Sequence, residues 1–214
     1  MSVRNQLIKI YNSRLHILNI LESVYGYDIK DYSGFSINEI DAMISNDQLD
    51  MLLTHKKSGE NLIPINKTYI KYFMNGTLNS SSISVMIEDL FTLTDTLNKD
   101  DCLCIIYEGE PNDSLLTYLN YIYNQSNLFI VVHNLKRLQF NILEHNLVPK
   151  VSILTDAQFE DLKKQYTIES TKQLPEIKRF DPVALAICLR PGQVCKFLRN
   201  SPTSMTSPYY RVCI

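Results

Sequence analysis

Hydrophobic positions along this chain follow two rhythms, one of helical period and one of short unbroken runs. Leu7, Ile8, Tyr11, Leu15, Leu18, Leu21 and Val24 recur every three or four residues. That spacing predicts a helix over Arg4 to Tyr25, with Gly26 as its left-handed terminator. Ser36-Ile-Asn-Glu39 has the form of a capping box, in which serine accepts from a first-turn amide and glutamate reaches back. It predicts a second helix running to Ser45. Leu49 to His55 and Asn61 to Phe73 read as strands, with Ser58-Gly-Glu-Asn61 as the turn between them. Helical spacing returns from Ser82 to Leu97 through Ile83, Met86, Ile87 and Leu90. Two continuous apolar runs follow, Cys102 to Tyr107 and Leu128 to Val132, each predicting a strand buried on both faces. Between them Asn112 is placed to cap a helix carrying Leu115, Leu116, Leu119 and Ile122. Strand, helix, strand at this spacing predicts a βαβ unit with a parallel pair.

The pattern then becomes more broken. Arg137 to Leu143 alternates like a further strand. Thr155 and Gln158 form a second capping box, Leu154 can staple onto Phe159, and Phe159, Leu162 and Tyr166 share a helical face. Beyond Gln173 prolines punctuate the chain at 175, 182, 191, 202 and 208. Asp181-Pro182 pairs an N-cap with a proline at the first helical position, where a missing amide costs nothing, and predicts a brief helix from Val183 to Leu189. Arg190-Pro191-Gly192 predicts a turn into a strand from Gln193 to Arg199, and Tyr209 to Ile214 a closing strand.

Composition narrows the chemistry. The chain has 214 residues, enough for one domain of about 140 residues and one of about 70. A net charge of −2 lacks the basic excess of a free-standing nucleic-acid binder. Five cysteines are an odd number without a C-x-x-C pair, which reads as buried free thiols in a reducing compartment and no zinc. Met1 to Lys9 lack a signal-peptide core, and no run reaches the roughly 18 apolar residues of a membrane helix. An intracellular, soluble chain is the expectation. The four histidines show no ligand spacing, and six glycines leave little material for a phosphate-cradling loop. Glu108-Gly-Glu110-Pro111 follows a predicted parallel strand, where open α/β sheets place active sites. A metal nuclease would also need an acid-x-Lys pair on a nearby strand. The available pairs, Asp28/Lys30, Asp161/Lys163 and Glu176/Lys178, lie outside the predicted strands of that unit.

The blocks Gln173-Leu-Pro-Glu-Ile177, Asp181-Pro-Val-Ala184, Arg190-Pro-Gly-Gln-Val-Cys-Lys-Phe-Leu-Arg199 and Tyr210-Arg211 stand in a distinctive order. They resemble the C-terminal domain of the fifth common subunit of eukaryotic nuclear RNA polymerases, a family with shorter archaeal members. Glu144-His-Asn-Leu-Val-Pro149 and the acidic helix after Thr155 continue the resemblance. It implies an α/β chain in two parts. Residues 1–143 would form an N-terminal α/β jaw domain with a restriction-endonuclease-like sheet but no active site. Residues 144–214 would form a small mixed α/β C-terminal domain, the part that makes up nearly all of the family's archaeal members.

The resemblance further implies a non-catalytic subunit of a multi-subunit DNA-directed RNA polymerase, serving assembly and the downstream-DNA jaw without cofactor, metal or small-molecule substrate. Its expected partners are the largest polymerase subunit, neighbouring small subunits and, more weakly, downstream duplex DNA; no membrane is expected. By resemblance, Pro149, Pro175, Asp181, Pro182, Gly192, Gln193, Val194, Tyr210 and Arg211 form the partner-binding set. The chain departs where the family commonly has glycine, arginine and tyrosine and this sequence has Met205, Thr206 and Ser207. Abundant asparagine and isoleucine without tryptophan is a bias that AT-rich coding produces. With that departure, it favours a dedicated viral polymerase over a divergent cellular one. The corresponding locations are host cytoplasm and virion, or the nucleus. Two other readings stay open: a metal-dependent nuclease using Glu108 and Glu110, and a free-standing transcription regulator that shares the fold.

Overall fold

The computed structural model describes residues 3–55, 67–74 and 76–214. The turn predicted at Ser58 to Asn61 and the first part of the strand predicted from Asn61 lie outside the described residues.

The first helix, α1 (Val3–Tyr25), ends as its sequence requires: the Gly26 amide donates to the Glu22 carbonyl at 2.8 Å, with φ at +69°. Its period is as predicted and its buried face in part: of the predicted residues Leu18 and Leu21 are buried and Leu7, Tyr11 and Val24 pack half-buried against the core. Ile10, Ile17, Leu18, Ile20 and Leu21 are buried, together with Ser13 and Arg14, while Ile8 and Leu15 are exposed. The reason is polar satisfaction. Ser13 donates to the Ile10 carbonyl and lies 3.2 Å from the Tyr72 hydroxyl, so a serine occupies the core side of the helix without an orphaned group. Helix α2 (Ile37–Ser45) opens on the predicted Ser36–Glu39 box.

The first sheet runs β1 (Met51–Thr54), β2 (Lys67–Phe73), β3 (Cys102–Tyr107), β4 (Phe129–Asn134) in that spatial order. β1 is antiparallel to β2; the other pairs are parallel. Helices α3 (Ser80–Ile87) and α4 (Asp113–Ser126) make the two crossovers, capped by Asn79 and Asn112. Alternation along β3 and β4 feeds two separate cores. Cys102, Cys104, Ile106, Phe129 and Val131 face the α1 side, and Leu103, Ile105, Ile130 and Val132 pack with α3 and α4. Burial on both faces explains why these strands read as continuous apolar runs.

Two expectations fail for local reasons. The helix predicted to Leu97 becomes a π-helical turn at Glu88–Leu93, closed by the Thr94 amide on the Asp89 carbonyl. Leu97 is buried, but it lies in the loop beyond. The strand predicted over Arg137 to Leu143 is instead two 3₁₀ turns, Arg137–Gln139 and Ile142–Glu144. Asn134 accepts from the Lys136 amide at 2.7 Å and Asn141 from the Leu143 amide at 3.0 Å. These side-chain bonds offer the backbone an alternative to a ladder. Leu138 is buried, whereas Phe140 is exposed.

The second sheet has the order β5 (Lys150–Ile153), β7 (Val194–Ser201), β8 (Met205–Cys213), β6 (Glu176–Ile177). β7 is antiparallel to both β5 and β8, and β6 is parallel to the end of β8. Helix α5 (Asp156–Tyr166) starts at the predicted Thr155–Gln158 box. Helix α6 (Pro182–Ala186) starts at Asp181 as predicted but stops before Leu189; Cys188, in the left-handed region at φ +46°, ends the turn.

The two sheets share one core, in which Ile153, Ile177, Ile187, Cys195 and Phe197 join the α1 side of the first sheet. Polar contacts fix the junction. The buried Tyr25 hydroxyl donates to the Ile187 carbonyl at 2.6 Å. Arg179 donates to the Ile130 carbonyl at 3.0 Å and to Asn120 Oδ1 at 3.2 Å. Arg190 donates to the Asp100 and Asp101 carbonyls at 2.5 and 2.9 Å, and both guanidiniums lie over the Phe129 ring.

Arg190→Met keeps volume and removes the donor from two carbonyls. It is expected to cost about 2–3 kcal/mol, the range for hydrogen bonds to a charged group. The loss would be read as a lower urea midpoint at unchanged slope; an unchanged midpoint would exclude this role for Arg190.

Candidate partner-binding surface

Most residues expected at the partner surface shape the second sheet from within its turns. Asp181 Oδ1 accepts from the Val183 amide at 2.9 Å, and Pro182 fills the first helical position. The Pro175 carbonyl accepts from the Val212 amide at 2.9 Å, aligning β6 with β8. Gly192 has φ +89° and donates to the Cys213 carbonyl at 2.9 Å; a Cβ there would meet nothing within 4 Å. The demand for glycine is therefore conformational, not steric. Gln193 closes the same turn, its side chain accepting from the Arg190 amide at 2.9 Å. Val194 is buried, so it packs the sheet's inside. Pro149 leads into β5 and is half-buried.

Tyr210 and Arg211 differ, because they stand half-buried on the outer strand. Tyr210 meets Tyr166 of α5 edge to face at 6.1 Å. The Arg211 guanidinium donates to the Glu176 carbonyl at 3.3 Å and, with Arg199, lies over the Tyr209 ring. Past these residues the β7–β8 hairpin runs into solvent: Leu198, Arg199 and Asn200 on one strand and Met205 to Pro208 on the other are exposed. β6 pairs only with Val212 and Cys213, leaving the outer edge of β8 from Met205 to Arg211 without a ladder among the described residues. Pro208 lies on that edge, where a missing amide is tolerated. Met205 sits at the tip with φ +57° and is 86% exposed. That conformation suits glycine, so the departure at Met205 costs backbone strain of about 1–2 kcal/mol.

Sequence reasoning did not assign Arg179 and Arg190 to any site. Neither forms an ion pair among the described residues, and what each reaches lies tens of residues upstream: Ile130 in β4, and Asp100 and Asp101 in the loop before β3.

The carboxylates proposed for metal chemistry are engaged elsewhere. Glu108 pairs with Lys9 at 3.8 Å and Glu110 with Arg137 at 3.2 Å. Gly109 between them lies under the Tyr107 ring, which leaves no room for a Cβ. Among the described residues no three His, Cys, Asp or Glu side chains gather to hold a metal ion. Beside this loop, at the carboxyl ends of β3 and β4, lies a cavity of about 430 Å³ walled by Leu116, Leu119, Val132, Phe180 and Leu185. His133 also lines it, 5% exposed and with no hydrogen-bond partner on Nε2. Burial, with the charge of Arg137, pushes this imidazole down to about 4. It is held neutral in a wall that also carries Glu110, Asn134, Lys136 and Arg137.

Comparison with known proteins bears on the second sheet. The family described as RNA polymerase Rpb5, C-terminal domain, matches residues 140–213. The DNA-directed RNA polymerase subunit Rpo5 of Thermococcus kodakarensis is 42% identical over 76 residues, covering 36% of this chain and 92% of that protein. The chain belongs to the Rpb5/Rpo5 family of RNA polymerase subunits. The Rpo5 subunit of Methanococcoides burtonii is 37% identical over 76 residues, 36% of this chain and 96% of its own length. That of Archaeoglobus fulgidus is 38% identical over 77 residues, 36% and 100% respectively. The Rpb5 match encloses all nine residues of the expected partner set, and both arginines of the junction. It leaves residues 1–139 unmatched, including the His133 cavity's strand walls.

His133 supplies a pH test of that cavity. Its folded pKa lies below the unfolded value of about 6.5, so the unfolded chain binds the proton more readily. The stabilisation is complete above pH 6.5 and is lost as pH falls toward 4, amounting to about 3 kcal/mol. Wild type is therefore expected to lose about that much more stability than His133→Gln between pH 7 and 4 in urea titrations. Parallel losses would show that His133 is not held neutral.

Proposed function

We propose that this chain is a non-catalytic subunit of a multi-subunit DNA-directed RNA polymerase, with other polymerase subunits as its partners. One observation carries the reading: a contiguous segment reproduces nearly the whole length of archaeal Rpo5 subunits at 37–42% identity. Its role is assembly. The second sheet is the docking element, contributing the exposed hairpin, the open edge of β8 and the turns around Asp181-Pro182 and Gly192; its principal contact is the largest subunit. Residues 144–214 act as that docking domain, and residues 1–143 as a jaw that flanks downstream DNA. The parallel strands and their crossover helices support a jaw of restriction-endonuclease-like form, and the ion-paired state of Glu108 and Glu110 supports one without an active site. A dedicated viral enzyme in host cytoplasm and virion is the favoured setting.

The test is high-salt affinity purification of the N-terminally tagged protein from its native source, followed by mass spectrometry. Stoichiometric recovery of the two largest polymerase subunits is expected; recovery alone, or with unrelated proteins, would overturn the assignment. Gly192→Val forces a β-branched residue to φ +89° and is expected to cost more than about 1–2 kcal/mol. Its incorporation into the complex should fall well below wild type in the same pull-down. Normal incorporation would remove this turn from the docking role.

A further inference from the structure

Away from the second sheet, α1 carries a cation in an unusual position. Arg14 is 3% exposed, yet it forms no ion pair among the described residues. One amine donates to the Leu49 carbonyl at 2.9 Å, and Nε has no partner. The guanidinium is held between two rings, its carbon 5.9 Å from the centre of Tyr32 and 5.6 Å from that of Phe35. Burial disfavours its charge, and the groups offsetting that are phenols, not carboxylates. A buried charge is normally matched by an opposite one, because desolvation is otherwise uncompensated.

Arg14 lines a cavity of about 160 Å³ with Tyr11, Asn19, Tyr32, Ser33 and Phe35, and among the described residues no carboxylate stands in its wall. Asp28 and Asp31, on the adjoining loop, do not line it. Leu15, which lines the cavity, is 46% exposed, and outside the lining Ile8, two turns earlier on the same helix, and Ile37, two residues past Phe35, are also exposed.

We infer that this cavity is a docking site for an acidic peptide segment of a partner protein: a carboxylate enters to pair with Arg14, and apolar side chains flanking it cover Leu15 and Ile37. A guanidinium clamped between rings presents its free donors in a fixed plane, which matches the planar, two-oxygen acceptor of a carboxylate. A nucleic-acid backbone fits less well. Phosphate tracks are met by several cations in a groove, and among the described residues Arg14 is the one basic residue in this wall. The site lies outside the segment matched to Rpb5, and it holds or fails independently of the polymerase assignment.

The test follows the Arg14 Nε–H resonance of the full chain by ¹H–¹⁵N NMR during titration with acetyl-Leu-Asp-Leu-amide. Its asparagine counterpart and inorganic phosphate serve as comparators. A saturable shift is expected with the aspartate peptide, with affinity at least about tenfold above that of the asparagine peptide. Arg14→Lys, followed through the backbone amides of Leu15 and Phe35 in the same wall, should show no saturable shift. Ser33→Glu, which brings a carboxylate into the wall from the chain itself, should raise the thermal midpoint and abolish peptide binding. Equal binding of both peptides, the absence of any saturable shift, or tighter binding of phosphate than of the aspartate peptide would overturn the inference. So would a lowered midpoint of Ser33→Glu with peptide binding retained.

Discussion

Two buried guanidiniums set the relation between the two sheets. The parallel strands Cys102–Tyr107 and Phe129–Asn134 are covered on both faces, so a second sheet can join them only along one shared core and through backbone atoms. Arg179 and Arg190 supply the polar half of that join, donating to the carbonyls of Ile130, Asp100 and Asp101 and stacking on Phe129. A guanidinium suits this task because its planar donors are fixed in direction and its faces tolerate an aromatic ring. Carbonyls, unlike a carboxylate on a mobile side chain, hold their positions with the strand. The contact therefore fixes orientation as well as distance. Asp101 strengthens the anchor: its carboxylate accepts from the Lys67 and Asn98 amides, so the loop carrying the Arg190 acceptors is itself tied down.

This arrangement divides the second sheet by task. Its inner half, Val194 to Phe197 with Val212 and Cys213, is buried apart from the half-buried Lys196, with Cys195, Phe197 and Cys213 in the shared core. Its outer half, the hairpin from Leu198 to Pro208 with Met205 at the tip, is left in solvent. Of the residues singled out by family resemblance, Gly192, Gln193 and Val194 lie where β7 begins, Asp181 and Pro182 open α6, and Tyr210 and Arg211 lie along β8. Gly192, Gln193 and Asp181 spend their hydrogen bonds on turns, and Val194 is buried. Tyr210 and Arg211, on the strand that leads to the tip, stay half-buried.

Legibility from sequence follows the range of the interaction. The capping boxes at Ser36 and Thr155, the Asn112 cap, the Asp181-Pro182 start and the βαβ unit were all readable, because each rests on contacts within a few residues or on burial of a continuous run. The buried face of α1 was read only in part, because Ser13 and one amine of Arg14 bond Tyr72 and Leu49, distant partners that no periodicity reveals. The strand expected near Leu138 was lost to asparagine side chains that bond their own backbone, which alternation alone does not register. Arg179 and Arg190 were invisible as a pair for the same reason as Arg14: their acceptors are main-chain atoms far away. Block order within residues 144–214, in contrast, carried the family assignment without any help from geometry.

The claim on which the account rests is that the second sheet and the parallel sheet are held as one body by the arginine junction. Native-state amide exchange under increasing urea tests it most directly, comparing Phe129–Asn134 with Val194–Phe197. A single junction predicts that both sets of amides converge on one global opening. Val194–Phe197 exchanging through an opening that leaves Phe129–Asn134 protected would mean that the sheets come apart on their own, and would contradict it.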